Sequence, residues 1–400
     1  MKAGWQTKSL GDVCQLIGGG TPSKDNADYY TGDIAWATVR DMRSELIFET
    51  EFKITKEAVK NSATNIIPKG NVVIATRVGL GKVCLVQQDT AINQDLRGIV
   101  PIDKNILSVQ FLFSWLKSIS HKIVDEGTGA TVQGVKLPFV KSLEISIAPL
   151  AEQQRIVAIL DQAFEGIAKA RTNAVQNLQN ARALFESQLQ SVFNHLGEAW
   201  PEKRLDKVAK VVSGYSFKSS DFSSTNQIKT IKITNVGVKE FVDDFDSLLP
   251  SSFKNKYDAF TVNSGSIVIA LTRTIIQSGL KVAVVPNTYN GALLNQRVAA
   301  IIANCEYALD SYLYLYLSTK QVEQYVINHV NTLMQPNLSI NDLKALSIPL
   351  PAIVEQKKIV RDLEILSHET KRLEALYQRK IALLDELKKS LLQQAFAGKL

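Results

Sequence analysis

The chain has 400 residues, of which 45% are hydrophobic and 21% charged, as is typical of a globular protein with two or three domains. No run approaches the roughly 20 apolar residues of a membrane span, and no secretory signal is evident, which favours a cytoplasmic location. The formal net charge of +7 favours a polyanionic partner, although many basic proteins never bind nucleic acid. Cys14, Cys84 and Cys305 lie far apart, which predicts reduced thiols.

Residues 1–150 are predicted to form a first domain of mixed α/β structure. Short, branched apolar segments at 34–39, 71–75 and 83–86 predict strands, because glycine or proline bounds several of them. Residues 108–119 carry apolar side chains at helical spacing and predict a helix. A further strand is expected at 143–147, just before Pro149.

Residues 151–197 are predicted to form a long helix. From 151 to 196 there is no proline and only one glycine, Gly166. Apolar side chains recur about every 3.6 residues, the α-helical period, and a helix of this length would extend about 70 Å. Such a helix is too long for an ordinary domain, and its apolar stripe requires a partner.

The rest of the chain repeats this order. Residues 198–351 are predicted to form a second α/β domain, with strands at 230–234, 267–271, 281–285 and 298–302 and one helix at 310–329. Residues 352–400 are predicted to form a second long helix. The simplest packing is an antiparallel coiled coil of the two long helices, with one domain at each end, a pseudo-two-fold dumbbell. The predicted seam comprises Ile156, Leu160, Ile167, Leu178, Phe185, Val192, Ile359, Leu363, Leu366, Leu373, Ile381, Leu384 and Leu391.

The second half of the chain is a copy of the first. Four residues recur 195 positions later, so that Trp5, Leu10, Val13 and Gly19 correspond to Trp200, Leu205, Val208 and Gly214. The displacement grows to 203 by Glu152-Gln153, which corresponds to Glu355-Gln356. A tandem duplication of this kind predicts two equivalent domains and suits a target that itself has two halves.

No catalytic signature is found. The chain lacks the Gly-x-x-x-x-Gly-Lys-Ser/Thr phosphate loop and the Asn/Asp-Pro-Pro-Phe/Tyr tetrapeptide of amino-group DNA methyltransferases. Its histidines, His121, His195, His329 and His368, have no metal-ligand spacing. Gly18-Gly19-Gly20 lacks the context of a dinucleotide site and is interpreted as a turn. The sequence therefore predicts a protein without catalytic residues or a metal site.

Polar and basic residues beside strand ends and glycine turns are the candidate DNA contacts. Arginine can bind guanine and glutamine or asparagine can bind adenine, although for any single residue a solvated loop charge is the commoner explanation. Arg77 and Arg273 are interpreted as counterparts and stand out because both follow a repeated strand. The candidates are Thr21, Lys24, Arg40, Arg43, Arg77, Lys82 and Gln133 in the first domain, and Ser216, Lys218, Lys232, Asn235, Arg273, Gln335 and Asn337 in the second.

Both domain-to-helix junctions resemble those of type I restriction–modification specificity subunits. The first reads IAPLAEQQRIV at 147–157, and the second reads IPLP at 348–351 followed by EQKKIV at 355–360. The segment QPNLS at 335–339 and the tail SLLQQAFAGKL at 390–400 are also similar to that family. The resemblance extends over the whole chain, with its parts in the same order.

The resemblance implies a non-catalytic subunit whose two target recognition domains each read one half of a split DNA site. The two helices would set the spacer and bind two copies of the modification subunit, which carries S-adenosylmethionine and methylates adenine. A motor–nuclease subunit would carry ATP and magnesium, and this chain would bind no cofactor. The alternative is a coiled-coil scaffold with two protein-binding heads, which predicts no sequence-dependent affinity for DNA.

Overall fold

A computed structural model describes residues 4–129, 134–196, 200–244, 248–330 and 337–400. The chain divides into two units, one formed by Met1–Val175 with Gln378–Leu400 and the other by Gln176–Tyr377. Each unit therefore combines one α/β domain with a segment of each long helix. No helix among the described residues combines the length and the apolar character needed to cross a membrane.

The first unit contains two sheets and a two-stranded pair. Its described strands are β1 (Gln6–Ser9), β2 (Cys14–Gly18), β3 (Ile34–Ala37), β4 (Leu46–Ile47), β5 (Phe52–Ile54), β6 (Asn65–Ile67), β7 (Val72–Ala75), β8 (Val83–Val86), β9 (Thr90–Ile92), β10 (Leu96–Pro101) and β11 (Glu144–Ile147). Its helices are α1 (Leu10–Val13), α2 (Lys56–Lys60), α3 (Val109–Ser118), α4 (Ser120–Asp125), α5 (Leu137–Ser142) and the start of α6 (Leu150–Ser191). The strand orders are β2-β10-β7-β8-β4, β5-β3-β9-β6 and β1-β11.

The second unit repeats this topology. Its described strands are β12 (Glu202–Arg204), β13 (Ala209–Ser213), β14 (Ile228–Ile231), β15 (Leu248–Leu249), β16 (Thr261–Val262), β17 (Ile267–Ala270), β18 (Ile275–Ile276), β19 (Gly279–Leu280), β20 (Val282–Val284), β21 (Ala292–Leu294), β22 (Val298–Ala303) and β23 (Ser347–Pro349). Its helices are α7 (Leu205–Val208), α8 (Phe253–Lys256), α9 (Asp310–Leu317), α10 (Lys320–His329), α11 (Ile340–Ala345) and the start of α12 (Ile353–Phe396). The orders β13-β22-β17-β20, β15-β14-β21-β16 and β12-β23 follow those of the first unit, except that the larger sheet has no counterpart of β4 among the described residues and a further pair, β18-β19, is present. The predicted internal repeat and mixed α/β content are therefore confirmed.

The central strand of the larger sheet is buried on both faces in each unit. All four residues of β7 and all four of β17 have no exposed surface. The strand reads as a continuous apolar run because one face packs on the helices and the other on the second sheet. Polar residues at its end are therefore the first side chains that can reach solvent.

Turns and helix caps change three of the predicted elements. The strand predicted at 34–39 ends at Ala37, because Thr38 caps a 3₁₀ turn at Val39–Asp41. The strand predicted at 230–234 spans Ile228–Ile231 instead, followed by a turn that Asn235 closes by accepting from the backbone N–H of Lys232 at 2.8 Å. The single helix predicted at 310–329 is two helices, because Thr319 caps a new helix there.

A buried glutamine ties each long helix to the domain that precedes it. The side chain of Gln153 accepts from Ser108 N at 2.9 Å and donates to the carbonyls of Ile106 and Ala148, both at 2.7 Å. Gln356 makes the same three bonds in the second unit, with Leu309 N at 3.1 Å and the carbonyls of Tyr307 and Pro351 at 2.9 Å. Neither glutamine has exposed surface. The Glu-Gln junction motif thus has a structural explanation, since glutamine supplies both an acceptor and two donors.

The long helices contact each other within each unit. In the first, Arg155 Nη2 donates to Leu400 O at 2.8 Å and Arg171 Nε lies 3.1 Å from Asp385 Oδ1, so the two segments run antiparallel. In the second, Arg182 Nε lies 3.1 Å from Glu374 Oε2. The thirteen residues of the predicted seam are all buried or half-buried. The α6 segment ends at Ser191, and a π-helical turn follows at Val192–Leu196.

Candidate nucleic-acid interface

The glycines that follow β2 pack against the segment that follows β9. Gly20 N donates to Ile92 O at 3.0 Å, and a Cβ built on Gly19 would lie 2.1 Å from Asn93 O. In the second unit a Cβ on Gly214 would lie 2.2 Å from Asn295 O. Only glycine permits this approach of two backbones. The repeated glycine therefore brings two loops together at one edge of each domain. From the sequence, only a turn was expected there.

The segment against which the glycines pack is an Asn-Gln turn, formed by residues 93–95 in the first unit and 295–297 in the second. Asn93 is buried, and its side chain donates to Asp95 Oδ2 at 2.9 Å and accepts from Asp95 N at 3.1 Å. The turn closes with Leu96 N donating to Asn93 O at 3.2 Å, as Val298 N donates to Asn295 O at 3.0 Å. Each turn thus places an exposed glutamine, Gln94 or Gln296, at the surface.

The end of the buried central strand lies beside the Asn-Gln turn. Thr76 N and Arg77 N donate to Asp95 O at 2.9 and 3.2 Å, and Leu271 N donates to Arg297 O at 2.8 Å. The Arg77 side chain is half exposed, and its Nε lies 3.8 Å from Asp95 Oδ1. Burial and the positive charge of Arg77 both lower the pKa of Arg97, which follows the same turn. Positive charge is therefore concentrated at this edge of the first unit.

Arg77 and Arg273 are not equivalent residues, contrary to the sequence-based interpretation. Arg77 forms an isolated β-bridge with Gly134, and the matching bridge in the second unit joins Thr272 to Asn337. The equivalent of Arg273 is Val78, and both adopt left-handed backbone angles, with φ of 49° and 41°. The two residues had been aligned because both are arginines, and this alignment of the two halves is wrong by one position.

The predicted DNA contact at Asn235 is wrong. Its side chain has no exposed surface, accepts from Lys232 N and donates to Val242 O at 2.8 Å. Asp41 occupies the same position in the first unit and accepts from Thr38 N at 2.7 Å. Because the amide is committed to closing a turn, Asn235 is structural.

Most other candidates reach solvent. The Arg40 side chain is 76% exposed, and its Nη1 lies 3.8 Å from Glu51 Oε2. Lys232 is less available for a contact with DNA, because its ammonium lies 2.8 Å from Asp244 Oδ2. Thr21 is half-buried and donates to Gln94 Oε1. Gln133 and Gln335 lie outside the described residues. The exposed candidates are Lys24, Arg40, Arg43, Arg77, Lys82, Ser216, Lys218, Arg273 and Asn337.

A cavity of about 1060 Å³ opens beside the Asn-Gln turn of the first unit. Aromatic side chains of Tyr30, Trp36 and Phe52 line it, and Lys24 and Arg40 contribute cations. The second unit has Tyr215 where the first has Gly20, and its ring packs 4.5 Å from that of Tyr257. The two units therefore present differently shaped surfaces on equivalent backbones.

Sequence reasoning missed the residues of the Asn-Gln turn. Gln94, Asp95, Gln296 and Arg297 line the edge, yet none was a candidate. A signal was present, since the dipeptide Asn-Gln recurs after a strand in both halves. No group of three or more His, Cys, Asp or Glu side chains suited to a metal occurs in the described part of the chain.

Comparison with known proteins shows a family match over both halves. The family model "Type I restriction modification DNA specificity domain" matches residues 2–177 and 197–383. The chain is 24% identical over 410 residues to the MjaVIII specificity subunit of Methanocaldococcus jannaschii, covering 99% of this chain and 93% of the relative. It is 35% identical over 162 residues to the EcoR124I/EcoR124II specificity subunit of Escherichia coli, covering 39% of this chain and 40% of that protein.

Two solved structures share the fold over the whole chain. A structure from work on complex assembly and conformational transition of the type I R-M system has a TM-score of 0.78 at 19% identity, covering 100% of this chain and 99% of that one. The HsdS subunit from Thermoanaerobacter tengcongensis has a TM-score of 0.67 at 20% identity, covering 100% and 98%. Subunits of this family recognise DNA, and the catalytic activities belong to partner subunits. The two matched domains make this chain a member of the family of type I restriction–modification DNA specificity subunits.

Proposed function

We propose that each unit reads one half of a bipartite DNA site through the edge formed by its Asn-Gln turn. The observation that carries the proposal is the recurrence of this edge, in which a glycine approaches an Asn-Gln turn within hydrogen-bonding reach of the central strand, in both units. Exposed amides and guanidinium groups there suit base edges in the major groove. Peripheral cations such as Lys24 and Lys218 suit phosphates, which fix position without reading sequence.

The two half-sites should differ in sequence. The equivalent edge positions carry Asp95 and Arg297, which are opposite in charge, and Gly20 and Tyr215, which are opposite in size. The Tyr215 ring occupies the place where the first unit has only a glycine beside its cavity, so the two units cannot contact all bases in the same way. We therefore expect an asymmetric site, in contrast to the palindrome that identical units would read.

The decisive experiment is modified-base sequencing of the host genome with this gene intact and deleted. Loss of methyladenine from an asymmetric two-part motif with an unread spacer would support the proposal. If methylation is unchanged, binding of the purified complex to random DNA decides between a silent system and a scaffold. A purified complex without sequence-dependent affinity would overturn DNA reading by these edges.

We further propose that the two long helices form one antiparallel coiled coil that sets the spacer. Support comes from the ion pairs of Arg171 with Asp385 and of Arg182 with Glu374, each within its own unit. From the first ion pair to the second, the position along α6 advances by as many residues as the position along α12 goes back. A continuous helix pair is stiff enough to fix the distance between the two edges that are proposed to read DNA.

Insertion of one heptad after Gln176 and one after Arg379 tests the spacer. These points are opposite each other if the register of the two ion pairs extends between them. Seven residues add about 10 Å to a helix while changing its facing direction little. The preferred spacer should lengthen by up to about three base pairs, at 3.4 Å each. An unchanged spacer would overturn the proposed role of the helices, and insertion in α6 alone is the control for general damage.

The exposed apolar side chains of α12 are proposed as docking points for two methyltransferase subunits. In the second unit Ile365 and Leu376 are 59% and 57% exposed, and in the first Leu383 and Leu387 are 51% and 46% exposed. Large apolar groups exposed at helical spacing mark protein contacts. S-adenosylmethionine would then be held by these partners, and ATP and magnesium by a motor–nuclease subunit.

Substitution of two of these leucines tests the docking surface. Leu376→Asp and Leu383→Asp should each weaken assembly with the methyltransferase subunit by at least tenfold, as measured by analytical ultracentrifugation. Gln378→Asp is the matched control, because Gln378 is exposed on the opposite side of the same helix. Equal assembly by all three variants would exclude this surface.

A further inference from the structure

The structure places an arginine at the same edge of both units, but on opposite sides of one backbone contact. In the first unit Arg77 follows the central strand, and its backbone N–H donates to Asp95 O at 3.2 Å. In the second unit the residue equivalent to Arg77 is Thr272, and the residue equivalent to Asp95 is Arg297. The guanidinium has therefore moved from the strand end to the Asn-Gln turn, while the two backbone segments stay adjacent.

The side chains around each arginine are suited to presenting it. Asp95 Oδ1 lies 3.8 Å from Arg77 Nε, and Asp95 is itself held by Asn93 at 2.9 Å. A carboxylate that restrains one side of a guanidinium leaves the remaining N–H groups directed outward. In the second unit Thr272 is half-buried and Arg297 is exposed.

A glutamine adjoins the arginine in each unit. Gln94 and Gln296 precede the third residue of the turn, and both are exposed. Thr21 donates to Gln94 Oε1, which leaves the amide of Gln94 free to donate. The shared part of the edge is thus a glutamine beside an arginine, and the variable part is the chain position that supplies the arginine.

We propose that Arg77 and Arg297 are the specificity-determining residues of their units and that each reads a guanine at the same position of its half-site. A guanidinium matches the O6 and N7 acceptors of guanine with two parallel hydrogen bonds, and no other base offers that pair. This inference rests on the proposed function, because it requires that each unit read one half-site. It also explains the opposite charges at Asp95 and Arg297. Asp95 restrains Arg77, whereas Arg297 itself supplies the guanidinium, so both units can read guanine in the same way.

The test measures discrimination between bases in the intact complex. Arg77→Ala and Arg297→Ala are assembled with their methyltransferase subunits, and affinity is compared for the wild-type site and for sites substituted at each guanine. Each variant should lose about 5- to 150-fold of discrimination at one guanine, in one half-site only. The two variants should affect different half-sites, so each half-site is the control for the other.

A charge exchange in the second unit provides a rescue. Arg297→Asp should abolish the preference for guanine at its position, and adding Thr272→Arg should restore it by recreating the pairing of Arg77 with Asp95. Restoration cannot come from a general change in stability, because the second substitution adds charge at a different backbone position. If the double variant discriminates no better than Arg297→Asp alone, the shared reading position is wrong.

The control is Arg43→Ala, which removes an exposed arginine of the first unit whose Nε donates to Arg40 O. It should lower affinity for all sites alike. A wild-type complex that shows no two-part motif contradicts the proposed function itself. A wild-type two-part motif whose base preferences are unchanged in Arg77→Ala and Arg297→Ala contradicts only the assignment of these arginines.

Discussion

Gln153 and Gln356 make the same three hydrogen bonds in their two units, whereas Asp95 and Arg297, at equivalent positions of the Asn-Gln turn, carry opposite charges. The buried residue is constrained by backbone groups that any copy of the fold must satisfy. The turn residue instead contacts other side chains, as Asp95 contacts Asn93 and Arg77, and such side chains can change together. Duplication has therefore preserved the framework that positions the reading edge and left its chemistry free to differ.

The largest effect is expected at the junction glutamines. Gln153→Ala and Gln356→Ala each leave one N–H and two carbonyls of the backbone, buried or partly buried, without their partners. We expect each to lower the free energy of unfolding by about 3 to 5 kcal/mol, since every buried unsatisfied group costs about 1 to 3 kcal/mol. Chemical denaturation followed by circular dichroism measures the loss. Similar losses for the two variants would show that the junctions are energetically equivalent.

Neighbouring residues provide matched controls for the junction. Gln154→Ala and Lys357→Ala alter exposed side chains one position further along each helix and should change stability by no more than about 0.5 kcal/mol. A loss at Gln153 without one at Gln356 would show that the second junction is held by other contacts.

The glycines of the reading edge should give the next largest effect. Gly19→Ala and Gly214→Ala place a Cβ within 2.1 and 2.2 Å of a carbonyl oxygen, so the two loops must separate. We expect a loss of about 1 to 3 kcal/mol of stability for each. DNA affinity should fall as well, because the Asn-Gln turn moves, and a fluorescence anisotropy titration of the complex measures it.

Gly166→Ala is the contrasting glycine substitution. Gly166 lies within α6, and a Cβ there would meet no atom within 4 Å. Alanine should therefore stabilise the chain by about 0.5 to 1 kcal/mol through its helix propensity. If Gly19→Ala were as harmless as Gly166→Ala, the close approach of the loops would not be required for folding.

The sequence predicts the framework better than the reading edge. Apolar runs and helical periodicity depend on burial, which is why β8 was predicted at its observed bounds, Val83–Val86, and why α12, observed at Ile353–Phe396, falls within the predicted 352–400. The edge depends on which loops meet, and that is a long-range property. The contact of Gly19 with Asn93 joins residues 74 positions apart, so the recurring Asn-Gln dipeptide did not by itself reveal that the turn belongs to the site. Arg273 was misaligned because the similarity of residue type was followed there instead of the repeat offset of 195, which places Thr272 opposite Arg77.

The ion pairs between each recognition domain and a long helix should give a smaller, pH-dependent effect. In the first unit Glu45 pairs with Lys117 and with Lys388 of α12, and in the second Lys239 pairs with Glu186 of α6, so the polarity is reversed. Burial raises the pKa of Glu45, but the two lysines outweigh it and hold the pKa below its ordinary value of 4.5. Burial also lowers the pKa of Lys117, which reduces the net benefit of the pair.

Substitution of Glu45 by glutamine isolates this contribution. A carboxyl whose pKa is lowered by folding stabilises the folded state above its unfolded pKa and loses that contribution as the pH falls through its folded pKa. Glu45→Gln should therefore cost less than about 1 kcal/mol at pH 7, because half of the side chain is exposed, and nothing at a pH well below 4.5. Urea denaturation at both pH values measures it, and a difference that persists in acid would contradict an ionic origin.

The smallest expected effect is a difference in reactivity among the three thiols. Burial raises the pKa of Cys14 to about 12 and that of Cys84 to about 11, and the Cys84 thiol donates to Ser44 O at 3.0 Å. Cys305, in the second unit, is exposed. At pH 8 a disulfide reagent should therefore modify one thiol rapidly, and Cys305→Ser should abolish that phase. Because Cys84 lies on β8, beside the buried central strand, rapid modification of Cys84 would show that the larger sheet of the first unit opens under native conditions, and its edge would then be less rigid than that of the second.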